Sequence, residues 1–391
     1  MNILTGDKMT DKIYLNDSYC KEFIATVLSC EMTEKGYEIV LDKTAFFPEG
    51  GGQAADCGTI EGIAVTDVQE KNGVVVHTTD TEIPVGKEVN CAIDWELRFS
   101  RMQSHSGEHI LSGVAHSLFD CTNVGFHMSE SLMTVDLDKA LSADDISKIE
   151  LLSNQAIYKN LEIKAIYPTK EELETLRFRS KIELSNDARI VVIGDVDACA
   201  CCAPHVARTG EIGIIKIVNA YSYKQGTRIE MLAGINALSD YVALNSANKE
   251  LMGLLSAARF NVNEAVAKQN EQLIALKSQN AQMSKRLALS ELETVNIGDS
   301  VYAISKNINY DELRHCANFL QEQGAKTCVL LSEAEEGYIY VVASVMRDVR
   351  EIVKELNQKF SGKGGGKPDY AQGKLSGGCE EELKKIVEEL L

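Results

Sequence analysis

His105 and His109 stand four residues apart in a stretch that reads as a helix, and Cys201 and His205 stand four apart far downstream. A spacing of four puts both imidazoles on one helix face, one turn apart. The run Cys201-Cys202-Ala203-Pro204-His205 offers a thiolate and an imidazole from a loop. If both pairs serve one ion, the fold must carry that loop back onto the helix. Three imidazoles and one thiolate suit tetrahedral Zn2+, one per chain, whereas magnesium and calcium prefer oxygen. Cys201 gives the four-residue spacing to His205, with Cys202 as the second candidate. A redox pair among Cys199, Cys201 and Cys202 would leave the helical histidines unexplained. Four protein ligands is the usual count of a closed structural site, so a structural zinc competes with a hydrolytic one.

The chain around these residues changes character at Trp95. Before it, residues 23–28, 37–41, 60–68 and 74–77 are short branched or aromatic runs separated by turn signals. Asn72-Gly73 has the composition of a tight hairpin turn. Many short strands predict a small β-barrel over residues 1–95. Residues 98–118 then carry Met102, Ile110, Val114 and Leu118 at helical spacing. A second helix is expected over 142–159, with Ser142 as cap and Asp144 and Asp145 in its first turn. Strands follow near 162–166, 190–193 and 213–218. The expectation is an α+β domain over 96–237.

Residues 240–292 read as nearly pure helix, broken at 260–263 where an asparagine would cap the next segment. This connector, 238–294, is rich in Gln, Lys and Asn and reads as a spacer, a coiled coil or a dimerisation element. The last part, 295–391, is expected to be a small α/β domain containing the glycine-dense segment SGKGGGKPDYAQGKLSGG. The fold class is thus α+β in four parts: barrel, zinc-containing domain, helical connector and C-terminal α/β domain.

Charge and composition narrow the partners. Of 391 residues, 40 are Lys or Arg and 58 Asp or Glu, a formal charge of -18. A protein coated in lysine for nonspecific DNA binding is excluded, but a local basic patch is not. Lys359, Lys363, Lys367 and Lys374 stand among the C-terminal glycines with only Asp369 against them over 356–379, a local balance of +3. That segment could follow a phosphate backbone, or be a flexible surface loop. No apolar run of membrane-spanning length occurs, and the start MNILTGDKMTDKIYL has no signal-peptide core. Eleven cysteines, an odd number in a long chain, then point to a reducing cytoplasm.

The run Phe46-Phe47-Pro48-Glu49-Gly50-Gly51-Gly52-Gln53 has three consecutive glycines, which cost backbone entropy. It is read either as a turn between strands or as a loop presenting backbone N–H groups to a ligand, with Gln53 and Asp56 adding polar contacts. It lacks the Gly-Lys-Ser/Thr ending of a P-loop.

PEGGGQ, residues 94–98, residues 101–111 and residues 201–213 together resemble the editing domain of alanyl-tRNA synthetase, most closely its freestanding relatives. The resemblance extends through Gly226-Thr227-Arg228-Ile229-Glu230 and into residues 362–373, which look like the glycine-rich signature of the DHHA1 domain. Two departures stand out. The family's Cys-Gly-Gly-Thr-His motif is here Cys201-Cys202-Ala203-Pro204-His205, and Ser106-Gly107 replaces the frequent Thr-Ala.

The resemblance implies a cytoplasmic enzyme that hydrolyses the ester of mischarged tRNA(Ala) in trans, without ATP. Serine is the expected wrong amino acid, with glycine second. The zinc ligands carry over as His105, His109, Cys201 and His205. Gln53, with His105 and His109, is the expected catalytic group. Gly50, Gly51, Gly52, Gln53, Asp56 and Arg228 are expected at the substrate, and Lys359, Lys363, Lys367 and Lys374 at the tRNA. Aminoacylation and ATP-binding motifs are not seen, so the chain is not expected to charge tRNA. Glu108 is set aside as a solvated carboxylate. Two other classes stay open: a tRNA-binding protein with a structural zinc, and a zinc hydrolase of another acyl ester.

Overall fold

Short turns dominate the first ninety residues because pairs of left-handed residues recur between branched runs. The computed structural model describes residues 9–129, 132–180 and 188–391, in two compact units that divide between Asn248 and Lys249. The first eight residues, read above for an export signal, lie outside the described residues.

In the first unit, six strands hydrogen-bond into a closed barrel: β1 (Glu22–Thr33), β2 (Gly36–Leu41), β3 (Gly58–Ile60), β4 (Ile63–Lys71), β5 (Val74–Thr79) and β6 (Glu88–Ile93). The ring order is β1-β2-β5-β4-β3-β6. Asn72 (φ 54) and Gly73 (φ 81) make the turn between β4 and β5. The expected single run 60–68 is two strands, because Glu61 (φ 52) and Gly62 (φ 76) form another such turn. Alternate residues point inward, and Ile39, Ile60, Val68, Val75 and Val89 are fully buried.

Asp94 ends the barrel and starts the long helix α1 (Trp95–Phe119), its side chain accepting from the N–H of Leu97 at 3.1 Å. Next come β7 (Asn123–Met128), β8 (Met133–Leu137) and α2 (Ala143–Tyr158), the last opened by a Ser142–Asp145 capping box. Strands β9 (Ile163–Ile166), β10 (Ile190–Ile193) and β11 (Asp197–Ala200) form a three-stranded antiparallel sheet. Strands β12 (Ile215–Tyr223) and β13 (Gly226–Ala233) complete a four-stranded sheet of order β12-β13-β8-β7. Met102, Ile110 and Leu111 of α1 pack into the core with Val135, Ile229 and Met231. Each such side chain contributes roughly 2 kcal/mol when fully buried.

The two layers of this unit are tied by Arg98 of α1. Its Nε donates to both carboxylate oxygens of Asp56, at 3.0 and 2.9 Å, and its Nη2 to Ala45 O, with both side chains buried. Removing one partner of such a pair costs about 3–5 kcal/mol.

In the second unit, α3 (Gly234–Leu255), which begins in the first unit, gives way to α4 (Val262–Glu291). The break falls at residues 256–261. Asn261 precedes α4, but its side chain bonds Glu264 rather than capping the helix. The sheet is formed by β14 (Thr294–Ile297), β15 (Ser300–Lys306), β16 (Thr327–Glu333), β17 (Tyr338–Ser344), β18 (Lys363–Gly366) and β19 (Tyr370–Leu375), in the order β14-β15-β16-β17-β19-β18. Helices α5 (Tyr310–Glu322), α6 (Val349–Lys359) and α7 (Glu380–Leu390) cover it. Along β16, Cys328 and Leu330 face the α5 side while Val329 and Leu331 face α6 and α7.

The α+β class and the long helical stretch hold, but the expected subdivision and the reading of the glycine segment as a flexible loop are corrected. The barrel is not a body of its own: residues 9–248 form one unit, because the Arg98–Asp56 pair and the packing of Phe47 on Ala203 join the layers. The C-terminal part is not α/β: only β15 and β16 pair in parallel, and the other four pairings are antiparallel. The glycine-dense segment is not a loop but the edge hairpin β18–β19. A Cβ at Gly364 would come within 2.3 Å of the Tyr340 hydroxyl beneath it, which is why the edge strand is glycine.

Candidate metal centre

Helix α1 is buried around its circumference from Met102 to Ile110, so His105 and His109 project into protein, not water. Gly113 lets the β10–β11 turn approach. A Cβ there would lie 2.6 Å from the Val196 carbonyl oxygen and 2.8 Å from Asp197 Cβ. That approach sets Asp197 beside His109. On leaving β11 the chain reaches Cys201 and then His205, each carried back to the helix.

The four side chains converge. His105, His109, Cys201 and His205 each offer a ligand atom, all within 4.8 Å of one another. Cys201 Sγ is 3.6 Å from His105 Nε2 and 3.4 Å from His205 Nε2. In a tetrahedral zinc site with ordinary bond lengths, nitrogen and sulfur ligands stand about 3.6 Å apart. Every imidazole has its other nitrogen occupied. His105 Nδ1 bonds Gln53 Oε1 at 2.8 Å, His109 Nδ1 bonds Asp197 Oδ2 at 3.1 Å, and His205 Nδ1 bonds Ser106 Oγ at 3.0 Å. Such partners fix the ring and leave Nε2 for a metal. Asp197 is itself held by Arg179 at 2.7 and 2.8 Å.

The electrostatics select one cysteine of three. Burial opposes the thiolate of Cys201, yet His105 and His205 hold its pKa well below the ordinary thiol value. Burial pushes the thiols of Cys199 and Cys202 up instead. Burial drives His205 down to about 3, which keeps it neutral and able to coordinate. His109 is held well above its usual value: burial opposes the cation, but Asp197 and Cys201 outweigh it. A thiolate with neutral imidazoles is the donor set that zinc requires, and the residues present fit it. Binding would displace the His109 proton that faces Cys201.

Gln53 is delivered by the glycine loop. Gly50 and Gln53 exchange both backbone hydrogen bonds at 3.0 Å around Gly51 (φ 60) and Gly52 (φ 84), a two-residue reversal that favours glycine at both positions. Gly52 also lies against Phe126, whose ring a Cβ would approach to 2.7 Å. The N–H groups of Gly50 and Gln53 are therefore spent within the turn, although Gly50 and Gly51 do line the adjoining cavity. That cavity has a volume of about 590 Å³ and is bordered by His105, His109 and Cys201.

Other expected site residues are placed elsewhere. Asp56 is buried, spent on Arg98 and on the Phe47 N–H at 2.6 Å, and so holds the loop. Arg228 lies on β13, bonds Asp136 at 2.6 and 2.7 Å and stacks 3.7 Å from the Tyr223 ring; it is not among the cavity-lining residues. Lys359, Lys363 and Lys367 are exposed on the second unit, and Lys374 faces Glu336 at 3.5 Å.

Sequence-family models match three segments: tRNA synthetases class II (A) over 10–97, the threonyl and alanyl tRNA synthetase second additional domain over 188–230, and the DHHA1 domain over 298–391. Alanyl-tRNA editing protein AlaX-L of Pyrococcus horikoshii is 31% identical over 404 residues, covering 98% of both chains. The chain belongs to the AlaX-type alanyl-tRNA editing protein family. Alanyl-tRNA editing protein Aarsd1 of Rattus norvegicus is 28% identical, covering 92% of this chain and 93% of its own. Alanine--tRNA ligase of Ignicoccus hospitalis is 29% identical over 98% of this chain, but only 42% of that ligase is matched.

Within this AlaX-type site, sequence reasoning missed Glu108, Asp197, Arg179 and Ser106. Glu108 is not solvated: it is 4% exposed, borders the cavity, and accepts from Ser112 at 2.6 Å and from Asn123. Its Oε2 lies 4.0 Å from His109 Nε2. A helical wheel would have found it, since Glu108 follows His105 by three. Asp197 gives no sequence signal, because only the β10–β11 hairpin brings it to His109.

Proposed function

We propose that this AlaX-type protein hydrolyses the ester of mischarged tRNA(Ala) in trans, with Ser-tRNA(Ala) the preferred substrate and Gly-tRNA(Ala) second. The single observation that carries the reading is the oriented His3Cys cluster at the wall of a cavity of about 590 Å³, a size suited to the aminoacylated end of a nucleic acid. The 3′ end of a tRNA is single-stranded and can enter such a cavity without unpairing bases.

Zinc held by His105, His109, Cys201 and His205 would supply a positive charge and Lewis acidity beside the ester. The protein's own groups supply the rest. Gln53 spends its Oε1 on His105, which leaves Nε2, buried and without a partner, as its remaining donor. We assign that donor to orienting the acyl group and the oxyanion that forms from it. Glu108, held by Ser112 and Asn123 beside His109, takes the proton of the attacking water. A site that hydrogen-bonds the seryl hydroxyl leaves those groups unsatisfied with alanine, which spares correctly charged tRNA; glycine lacks the hydroxyl too, so removal of its ester rests on a different contact.

The exposed Lys359, Lys363 and Lys367 on and beside the β18–β19 hairpin support contact with the phosphate backbone. Exposed Leu254, Phe260, Leu273 and Leu276 on the connector support self-association as a dimer. All eleven cysteines are free thiols, which supports a reducing, cytoplasmic setting. Among the described residues no helix is long and apolar enough to cross a membrane.

The test is a deacylation time course on Ser-, Gly- and Ala-tRNA(Ala) with zinc-loaded and chelated protein. Loss of the seryl ester first, the alanyl ester last, and only in the loaded sample is the expected result. Survival of all three esters with tRNA still bound would replace the enzyme with a binding protein, and turnover of small esters without tRNA would point to another substrate.

A further inference from the structure

The cavity has a polar wall that the hydrolytic groups do not use. Arg189, just before β10, is 7% exposed and borders the cavity. Its Nη1 donates to the carbonyls of Cys201 at 2.7 Å and Ala203 at 3.1 Å, while its Nε has no partner among the described residues. Among the described residues no carboxylate lies within 4.0 Å of it, whereas the other cations of the cavity are neutralised: Lys12 by Glu70 and Arg179 by Asp197, each at 2.7 Å. A buried guanidinium without a counter-charge is costly and calls for an anion.

The chemistry of the substrate identifies the anion. In an aminoacyl ester the amino acid has no free carboxylate, and its amine is a cation. The ribose and base are neutral, so the negative charge at the end of the strand lies on its phosphodiesters. We propose that Arg189 binds a phosphodiester of the 3′-terminal nucleotides; this rests on the editing function proposed above. Arginine's planar fork suits two phosphate oxygens, and Nε and Nη2 remain for them once Nη1 has taken the loop carbonyls.

Binding of a single-stranded CCA trinucleotide to the zinc-loaded full chain tests this without any ester. The same trinucleotide with its last phosphodiester replaced by a neutral methylphosphonate is the control. The wild type should bind the charged form about tenfold more tightly, and Arg189→Gln should bind both forms equally. Arg189→Lys should restore part of the difference, and metal per chain, measured in both variants, should match wild type. Since each protein is its own control, a loosened Cys201–Ala203 loop cannot imitate the result. Equal loss with methylphosphonate in wild type and Arg189→Gln would overturn the proposal. So would competition by inorganic phosphate at Arg189 with no discrimination between the trinucleotides, which would make the site one for a free anion. If discrimination at Arg189 holds while Ser-tRNA(Ala) is not hydrolysed, the editing reaction falls and the phosphate site stands.

Discussion

The metal centre and the glycine hairpin of the second unit are both polar clusters, yet they are built in opposite ways. At the metal centre every imidazole is buried and has its second nitrogen fixed by Gln53, Asp197 or Ser106. On and beside the hairpin, Lys359, Lys363 and Lys367 are exposed, and only Lys374 has an acidic neighbour, at 3.5 Å. Chemistry needs side chains held before the substrate arrives. Backbone recognition needs charge that can adjust to a curved phosphate chain.

The comparison can be broken most directly at His109. His109→Ala should abolish zinc binding, measured as metal per chain, and lower deacylation by at least about a thousandfold while tRNA affinity persists. Retained zinc would mean that three ligands suffice and that orientation matters less than claimed. A smaller effect is expected at Asp197, which touches no ligand atom. Asp197→Asn should weaken zinc affinity about 10- to 100-fold in a competition titration, with the fold intact by circular dichroism.

The barrel beneath the site offers a third test, through pH. His77 is fully buried between Thr44 and the Ile39 carbonyl, and burial lowers its pKa from 6.5 to about 4. Between those values the unfolded chain binds a proton that the folded chain refuses, so stability rises with pH across this window. The contribution is present above pH 6.5 and lost as pH falls toward 4, about 3 kcal/mol in all. His77→Gln should flatten that part of a denaturation-versus-pH curve; an unchanged slope would move acid sensitivity to the metal ligands. The smallest effect belongs to the hairpin. Lys363→Ala with Lys367→Ala should weaken tRNA binding a few-fold, reduce the salt slope by about one per lysine, and leave kcat unchanged.

What the sequence discloses follows from how local each signal is. His105, His109, Cys201 and His205 are legible because metal ligands must be particular residue types, and each pair lies within one turn of chain. The turn at Glu61-Gly62 is hidden, since branched apolar residues stand close on both sides of it, Ile60 before and Ile63 and Val65 after. The hairpin at 363–375 is hidden for the reverse reason. Glycine has low strand propensity, and the Tyr340 hydroxyl that demands it is distant in sequence. Asp56 and Arg228 look like ligand groups in a string of letters; their partners Arg98 and Asp136 become visible only once strands and helix meet.

Cys201 lies 96 residues beyond His105. An ion shared between them therefore acts as a cross-link across a quarter of the chain. The unfolded chain has no such site, so the free energy of binding an ion there would also be folding free energy. If zinc fills the site as proposed, metal depletion would both disarm the editing reaction and loosen the fold, and the protein's lifetime would depend on metal supply.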